Sequence, residues 1–295
     1  MVDTKIRTLL AVIQTGSYTK AAEVLCLTQP AVSHHIKLLE QEYDIKIFYK
    51  DKKELKLTAE GAILLKYAKR VISIANNAKQ AIEDSKRQVS HLMIGMTQTA
   101  GENLMPQILA LYCNEHPHTS INISTDTINN LYIKLKNYEL DLAIIEGKLP
   151  DPNFTSVLLD TDYLCLIVSP EHPFAKKGGV SLEELRQERF ILRSENAGTR
   201  TMFNEYLNKN GEDIDNFNII MELDNVSIIK DLVSHNMGIS IVAHSICKED
   251  VLAGKLVVVP IANANMVREI NIVHHKDFIH TEILDDLRKI YSQLH

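Results

Sequence analysis

Residues 17–40 read SYTKAAEVLCLTQPAVSHHIKLLE, and two short helices meeting at a tight corner account for the whole stretch. Ser17 is a good N-cap, because its hydroxyl can accept a backbone N–H left open in the first helical turn. From Lys20 to Leu25 the apolar positions Ala21, Ala22 and Leu25 follow helical spacing. The pattern breaks at Cys26-Leu27. Thr28 caps again, and Pro30 falls in the next first turn, where a missing N–H costs nothing. Val32, Ile36 and Leu39, with Leu38 beside them, form an apolar side. Gln29, Ser33, His34 and Lys37 form the opposite side, small or polar and able to hydrogen-bond. Such a helix can pack one side on a core and present the other to a DNA groove. An ordinary αα-corner in a helical protein would carry the same pattern.

The individual residues narrow the choice. Tyr18 precedes the pair Ala21-Ala22, the run Thr28-Gln29-Pro30-Ala31-Val32-Ser33 opens the second helix, and Leu39-Glu40 closes it. This resembles the helix-turn-helix signature of the LysR-type transcriptional regulators. The resemblance implies a recognition helix opening at Thr28, with Ser17, Thr28, Gln29, Pro30, Ser33, His34 and Lys37 at the DNA.

Working outward, Ile6, Leu9, Leu10 and Ile13 give one apolar face to a helix over Lys5–Gln14, and Gly16 stops it. After Glu40 the period changes. Ile45, Ile47 and Tyr49 alternate with Lys46, Phe48 and Lys50, and Leu55 and Leu57 flank Lys56, with DKKE between the two runs. A small β-hairpin, or wing, fits this. Lys46, Lys50, Lys52, Lys53 and Lys56 make it basic, and Lys50, Lys52 and Lys53 are assigned to phosphate contact, which fixes register without reading sequence. A solvated turn would carry the same charges. The family usually has Gly where Asp44 stands and Arg where Lys50 stands; Asp tolerates a left-handed turn less well than Gly, and Lys lacks the bidentate fork.

Thr58 caps a long helix from Ala59 to about Ser85, with Leu64, Tyr67, Ala68, Val71, Ile74, Ala75, Ala78 and Ile82 along one stripe. At 1.5 Å per residue it spans roughly 40 Å, more than the small preceding domain can cover. It could pack on the body that follows or on a second copy. The resemblance implies the second copy, because this linker helix is the family's dimerisation element.

From His91 the character becomes α/β. Strand-like runs fall at 92–96, 121–124, 141–145, 164–168, 189–192, 218–223, 238–242, 255–259 and 269–275. Helical segments fall at Glu102–Glu115, Ile128–Tyr138, Thr199–Asn210, Ser227–His235 and Thr281–Leu294. Alternation of this kind predicts parallel sheets with helices on both faces, in two lobes with a cleft between them. This half is similar to the family's effector-binding half, which has a periplasmic-binding-protein-like (type II) fold. The expected fold is α/β, with an N-terminal winged helix-turn-helix (1–58), a linker helix (59–90) and an effector-binding domain (91–295). By the same analogy lobe I is 91–161 plus 267–295 and lobe II is 162–266.

Ligands in open α/β sheets bind beyond the carboxyl ends of strands, near helix N-termini. Three junctions suit a small anion: residues 95–99, 125–129 and 194–200. The family's pocket positions fall on Thr97, Thr99, Thr127, Ser194 and Thr199, with Asn225 at the start of a further helix; Asn129 and Arg200 complete the candidate set. Plain N-caps would use the same residue types, and Arg200 suits a solvated first turn as well as an anion.

Composition agrees with a DNA-binding head on a body that does not touch DNA. The net charge is −6, but residues 1–90 carry 15 Lys and Arg against 10 Asp and Glu, leaving 17 against 28 in the rest. An accident of surface composition would leave the same asymmetry. No apolar run approaches a membrane span, and the N-terminus lacks the features of a signal peptide. Cys26, Cys113, Cys165 and Cys247 are widely spread, which fits a reducing cytoplasmic setting and no zinc framework. Cys165 reads as a small buried hydrophobe. A redox pair with Cys247 is not expected, because nothing in the sequence brings the two sulfurs together. The histidines show no metal-ligand spacing, and no Walker A run, HExxH or G-x-S-x-G is present. No metal, cofactor or enzymatic activity is expected. The expected partners are double-stranded DNA with an imperfect two-fold operator, a small anionic effector bound between the lobes, and further copies of the chain as a dimer or tetramer. RNA polymerase is a further candidate. The alternative is a solute-binding or enzymatic α/β protein whose N-terminal helices only mediate dimerisation.

Overall fold

The computed structural model describes residues 3–52, 54–102, 104–278 and 280–294. The chain divides into two compact units. One holds the first 91 residues and the short segment Ile133–Glu139; the other holds the rest.

The first unit starts with three helices, α1 (Thr4–Thr15), α2 (Tyr18–Leu25) and α3 (Gln29–Tyr43). Each start is set locally: Asp3, Ser17 and Thr28 accept the backbone N–H of Lys5, Lys20 and Ala31. Each end is a left-handed residue. Gly16 takes φ +65°, while Cys26 and Asp44 hold φ 53° and 50° with a Cβ. Leu9, Val12, Ala21, Val32, Ile36, Leu39 and Ile47 close the core. Each large side chain so buried stabilises the unit by roughly 1.5–3 kcal/mol relative to exposure.

Strands β1 (Phe48–Asp51) and β2 (Glu54–Leu57) form the wing, antiparallel, with Phe48 opposite Leu57 and Asp51 opposite Glu54. Lys53 lies outside the described residues. Thr58 caps α4 (Ala59–Arg87) by accepting the Gly61 N–H. The backbone of α4 and that of the wing approach so closely there that a Cβ on Gly61 would lie 2.3 Å from the Ile47 carbonyl oxygen. The apolar stripe of α4 is split. Leu64 and Ala68 pack on the helical core, while Ile63, Tyr67, Val71, Ile74 and Ile82 are exposed.

The second unit is built from β3 (Ser90–Met96), α5 (Gln98–Gly101), α6 (Met105–Glu115), β4 (Thr119–Thr125), α7 (Ile128–Lys136), β5 (Leu142–Glu146) and β6 (Phe154–Val168). Then come α8 (Leu182–Leu185), β7 (Arg189–Arg193), α9 (Gly198–Lys209), β8 (Asn218–Leu223), α10 (Val226–Ser234), β9 (Ser240–Ala243), α11 (His244–Leu252), β10 (Val257–Val259), β11 (Val267–His275) and α12 (Glu282–Leu294). Seven strands make one sheet, ordered β10-β6-β11-β5-β3-β4, with β9 also on β6; β7 and β8 pair separately.

The expectation of parallel sheets is corrected in part. β3 pairs parallel with β5, and β7 with β8, but β6 runs antiparallel to β9, β10 and β11, and β11 antiparallel to β5. The unforeseen element is the length of β6. Its first ten residues, FTSVLLDTDY, are mostly exposed or half-exposed, and they show neither the alternation nor the apolar run that marks a strand. Together β6 and β11 carry the chain between two cores. One is built on Ile94, Ile108, Leu142, Ile272 and Leu287, and the other on Leu166, Phe190, Phe203, Ile229 and Ile241. The expected helix over Glu102–Glu115 is α6, which starts at Met105 with Pro106 in its first turn, and the short α5 precedes it. A second correction concerns the thiols: Cys165 on β6 and Cys247 on α11 hold their sulfurs 3.7 Å apart.

Candidate functional site

Two sites can be built from these elements, one in each unit. In the first, α3 buries Val32, Ile36 and Leu39 and leaves Gln29, Pro30, Ser33, His34 and Lys37 exposed. The Ser17 and Thr28 hydroxyls accept backbone N–H groups at the starts of α2 and α3. They therefore set where the chain turns. Glu40, near the end of α3, accepts the Ile47 N–H at 2.9 Å and pairs with Lys46 at 3.0 Å. This ties the wing to the helix. Lys56 pairs with Asp51 across the hairpin. Lys50 and Lys52 are exposed and have no ion-pair partner among the described residues.

The second site is a cleft of about 400 Å³ at the ends of β3, β4, β5 and β7. Thr97 caps α5, its hydroxyl accepting the Ala100 N–H and donating to Glu146 Oε1 at 2.9 Å. Thr99 is buried beside it. Thr127 caps the start of α7 by accepting the Asn130 N–H, and Asp126 accepts the Thr127 N–H at 2.9 Å. Across the cleft the Ser194 hydroxyl donates to Asp224. The first turn of α9 has no side-chain cap, since Ala197 stands at its N-cap. Its N–H groups are open to an anion.

Four of the expected residues, Thr97, Thr99, Thr127 and Ser194, line this cleft. Asn129, Thr199, Arg200 and Asn225 do not. Asn129 is exposed on α7, Thr199 is buried, and Asn225 caps α10 by accepting the Ile228 N–H. Arg200 is not a solvated first-turn residue, and it does not line the cleft. It is 4% exposed, paired with Glu222 at 3.1 Å, and its Nε donates to Asn204.

The cation of the cleft is Arg193, at the end of β7, which the sequence reading passed over. It is 6% exposed, lines the cleft, and its Nε has no hydrogen-bond partner. Burial pulls its guanidinium below the ordinary arginine value, while the carboxylates of Glu102, Asp224 and Glu146 hold the charge in place. Glu146 was also passed over. Each is the charged residue that follows an apolar run, FIL before Arg193 and LAII before Glu146, at the carboxyl ends of strands where α/β ligand sites form. With Asp126 and Asp224 also in the lining, the cleft offers one cation and several acceptors. Among the described residues, no group of three or more His, Cys, Asp and Glu could hold a metal ion. No helix there is long and apolar enough to cross a membrane.

Residues 4–62 match the family described as "Bacterial regulatory helix-turn-helix protein, lysR family", and residues 85–293 match "LysR substrate binding domain". A "Probable RuBisCO transcriptional regulator" of Guillardia theta is 34% identical over 274 residues, covering 91% of this chain and 88% of that protein. One of Cyanidium caldarium is 34% identical over 246 residues, covering 82% and 77%. Full-length CbnR complexed with its target DNA has the same fold, with a TM-score of 0.70 over 100% of both chains at 16% identity. With both of its parts matched, the chain belongs to the LysR family and is a DNA-binding transcriptional regulator, not an enzyme.

Proposed function

We propose that α3 enters the major groove with Gln29, Ser33, His34 and Lys37 on base edges and phosphates, and that the wing lysines Lys50, Lys52 and Lys53 hold the backbone. The observation that carries this reading is the division of α3 into a sealed apolar side and an exposed polar one. The exposed row Ile63, Tyr67, Val71, Ile74 and Ile82 on α4 supports pairing with a second copy, hence an operator with an imperfect two-fold repeat. Residues 1–58 then serve as reader, 59–90 as dimerisation helix and 91–295 as sensor. Pairs of dimers and contact with RNA polymerase extend the same scheme.

The sensor takes a small metabolite in the cleft. Arg193 and the open N-terminus of α9 receive its anionic group, and Glu146 and Asp224 accept from its hydroxyl or amino groups. The test starts from duplexes selected by the protein from random sequence. In gel shifts on the selected duplex, Ser33→Ala with Lys37→Ala should abolish specific binding. Sedimentation should show the oligomeric state unchanged. Normal binding by the double variant would overturn the assignment of the reading helix.

A further inference from the structure

We propose that Cys165 and Cys247 form an oxidation site, at which a small peroxide converts two thiols into one intramolecular disulfide. The two residues are 82 apart in sequence, yet their sulfurs lie at 3.7 Å. The placement is rigid. Cys165 sits on β6 opposite Val242 of β9, and α11, which carries Cys247, follows β9 directly. A disulfide is about 2.05 Å long, so closure asks for an approach of roughly 1.6 Å. The other two thiols lack this arrangement: Cys26 is exposed in the first unit and Cys113 is half-buried on α6.

The two sulfurs are chemically unequal. The Cys247 thiol donates to the His244 carbonyl at 3.3 Å. The S–H of Cys165 and the nearby Lys230 ammonium favour a Cys247 thiolate, whereas Cys165 is pushed up by its bond to Cys247 and by burial. Cys247 is therefore the attacking sulfur. Its thiolate takes one oxygen of hydrogen peroxide, the O–O bond breaks, and the departing hydroxide is protonated to water. The sulfenic acid so formed is attacked by the Cys165 sulfur, which gives up its proton; the S–O bond breaks and a second water leaves. The two sulfurs lose two electrons to one peroxide. Exposures of 6% and 0% exclude bulky oxidants and leave a small peroxide as the one that fits.

The bond would form beside a joint of the fold. Ser245, two residues before Cys247, donates its N–H and O–H to Asp162 of β6, which faces Arg268 of β11 at 3.6 Å. Drawing α11 onto β6 acts on the two strands that pass between the lobes.

The test treats the full-length protein with hydrogen peroxide, alkylates the remaining thiols and maps the digest by mass spectrometry without reduction. The expected result is loss of two of the four thiols, a peptide pair joined at Cys165 and Cys247, and full recovery with dithiothreitol. Cys26→Ser with Cys113→Ser should leave the bridge intact, and Cys165→Ala should stop Cys247 at sulfenic or sulfinic acid. Survival of all four thiols in the folded protein would overturn the proposal. So would a bridge through Cys26 or Cys113, or a Cys165–Cys247 bridge formed only after unfolding. The wild-type map decides the matter even if a variant fails to fold.

Discussion

The carboxylate of Glu40 accepts the backbone N–H of Ile47 at 2.9 Å, across the turn that separates α3 from the wing. Ile47 is fully buried, and its N–H would otherwise have to find another acceptor beside a sealed core. Glu40→Ala should lower stability by about 1–2 kcal/mol. It should also loosen the wing and so weaken binding to all duplexes alike. Glu40→Gln keeps an acceptor and should recover most of both. Denaturant unfolding alongside gel shifts would check this.

Among the described residues, Lys50 and Lys52 lack the ion-pair partners that Lys46 and Lys56 have. If they meet phosphates, replacing each with Ala should reduce the slope of log affinity against log salt by about 1 and weaken all duplexes alike. Lys56→Ala should change the slope less, because Asp51 already neutralises that charge. Binding isotherms over a range of salt concentrations distinguish the two cases.

Two buried arginines should answer oppositely to the same substitution. Arg200 is paired with Glu222 and Asn204, although its Nη1 also lacks a partner, so Arg200→Gln should cost about 1–3 kcal/mol. Arg193 has an unpartnered Nε and a guanidinium that burial disfavours. Arg193→Gln should therefore leave the ligand-free protein as stable or more stable, while removing its response to metabolite. Urea midpoints without ligand, with a reporter assay for the response, provide the comparison.

Asp141 supplies a pH-dependent test. Burial raises its pKa above 3.8, although it accepts the Met93 N–H at 2.7 Å. A raised folded pKa means that the stability from this group is full below the unfolded value and is lost as pH rises through the folded one. At neutral pH the half-buried carboxylate therefore weighs against folding. Asp141→Asn retains an acceptor for Met93 without the charge. It should be more stable than wild type at about pH 7, with the difference closing toward about pH 3. Unfolding curves at several pH values would read this directly.

The helix-turn-helix was legible because its signals are local. Asp3, Ser17, Thr28 and Thr58 each cap within three residues, and Gly16 and Pro30 act on their own dihedrals. The apolar side of α3 follows from helical period alone. The candidate ligand site was half legible for the same reason. Thr97, Thr127 and Ser194 sit at strand-to-helix junctions that announce themselves, whereas Arg193 and Glu146 are charges at the carboxyl ends of apolar runs, which no period marks.

The helix-turn-helix, the exposed polar side of α3 and the α/β character of the body thus follow from the sequence alone, because caps, periods and turns act between neighbours in the chain. The tertiary structure decided that β6 is a long antiparallel crossing strand and that Arg193 rather than Arg200 faces the cleft. It also brought Cys165 and Cys247, 82 residues apart, to 3.7 Å. Those outcomes depend on which strands pair and on which side chains the closing core leaves without partners. Both are set by packing between distant segments, which leaves no periodic mark along the chain.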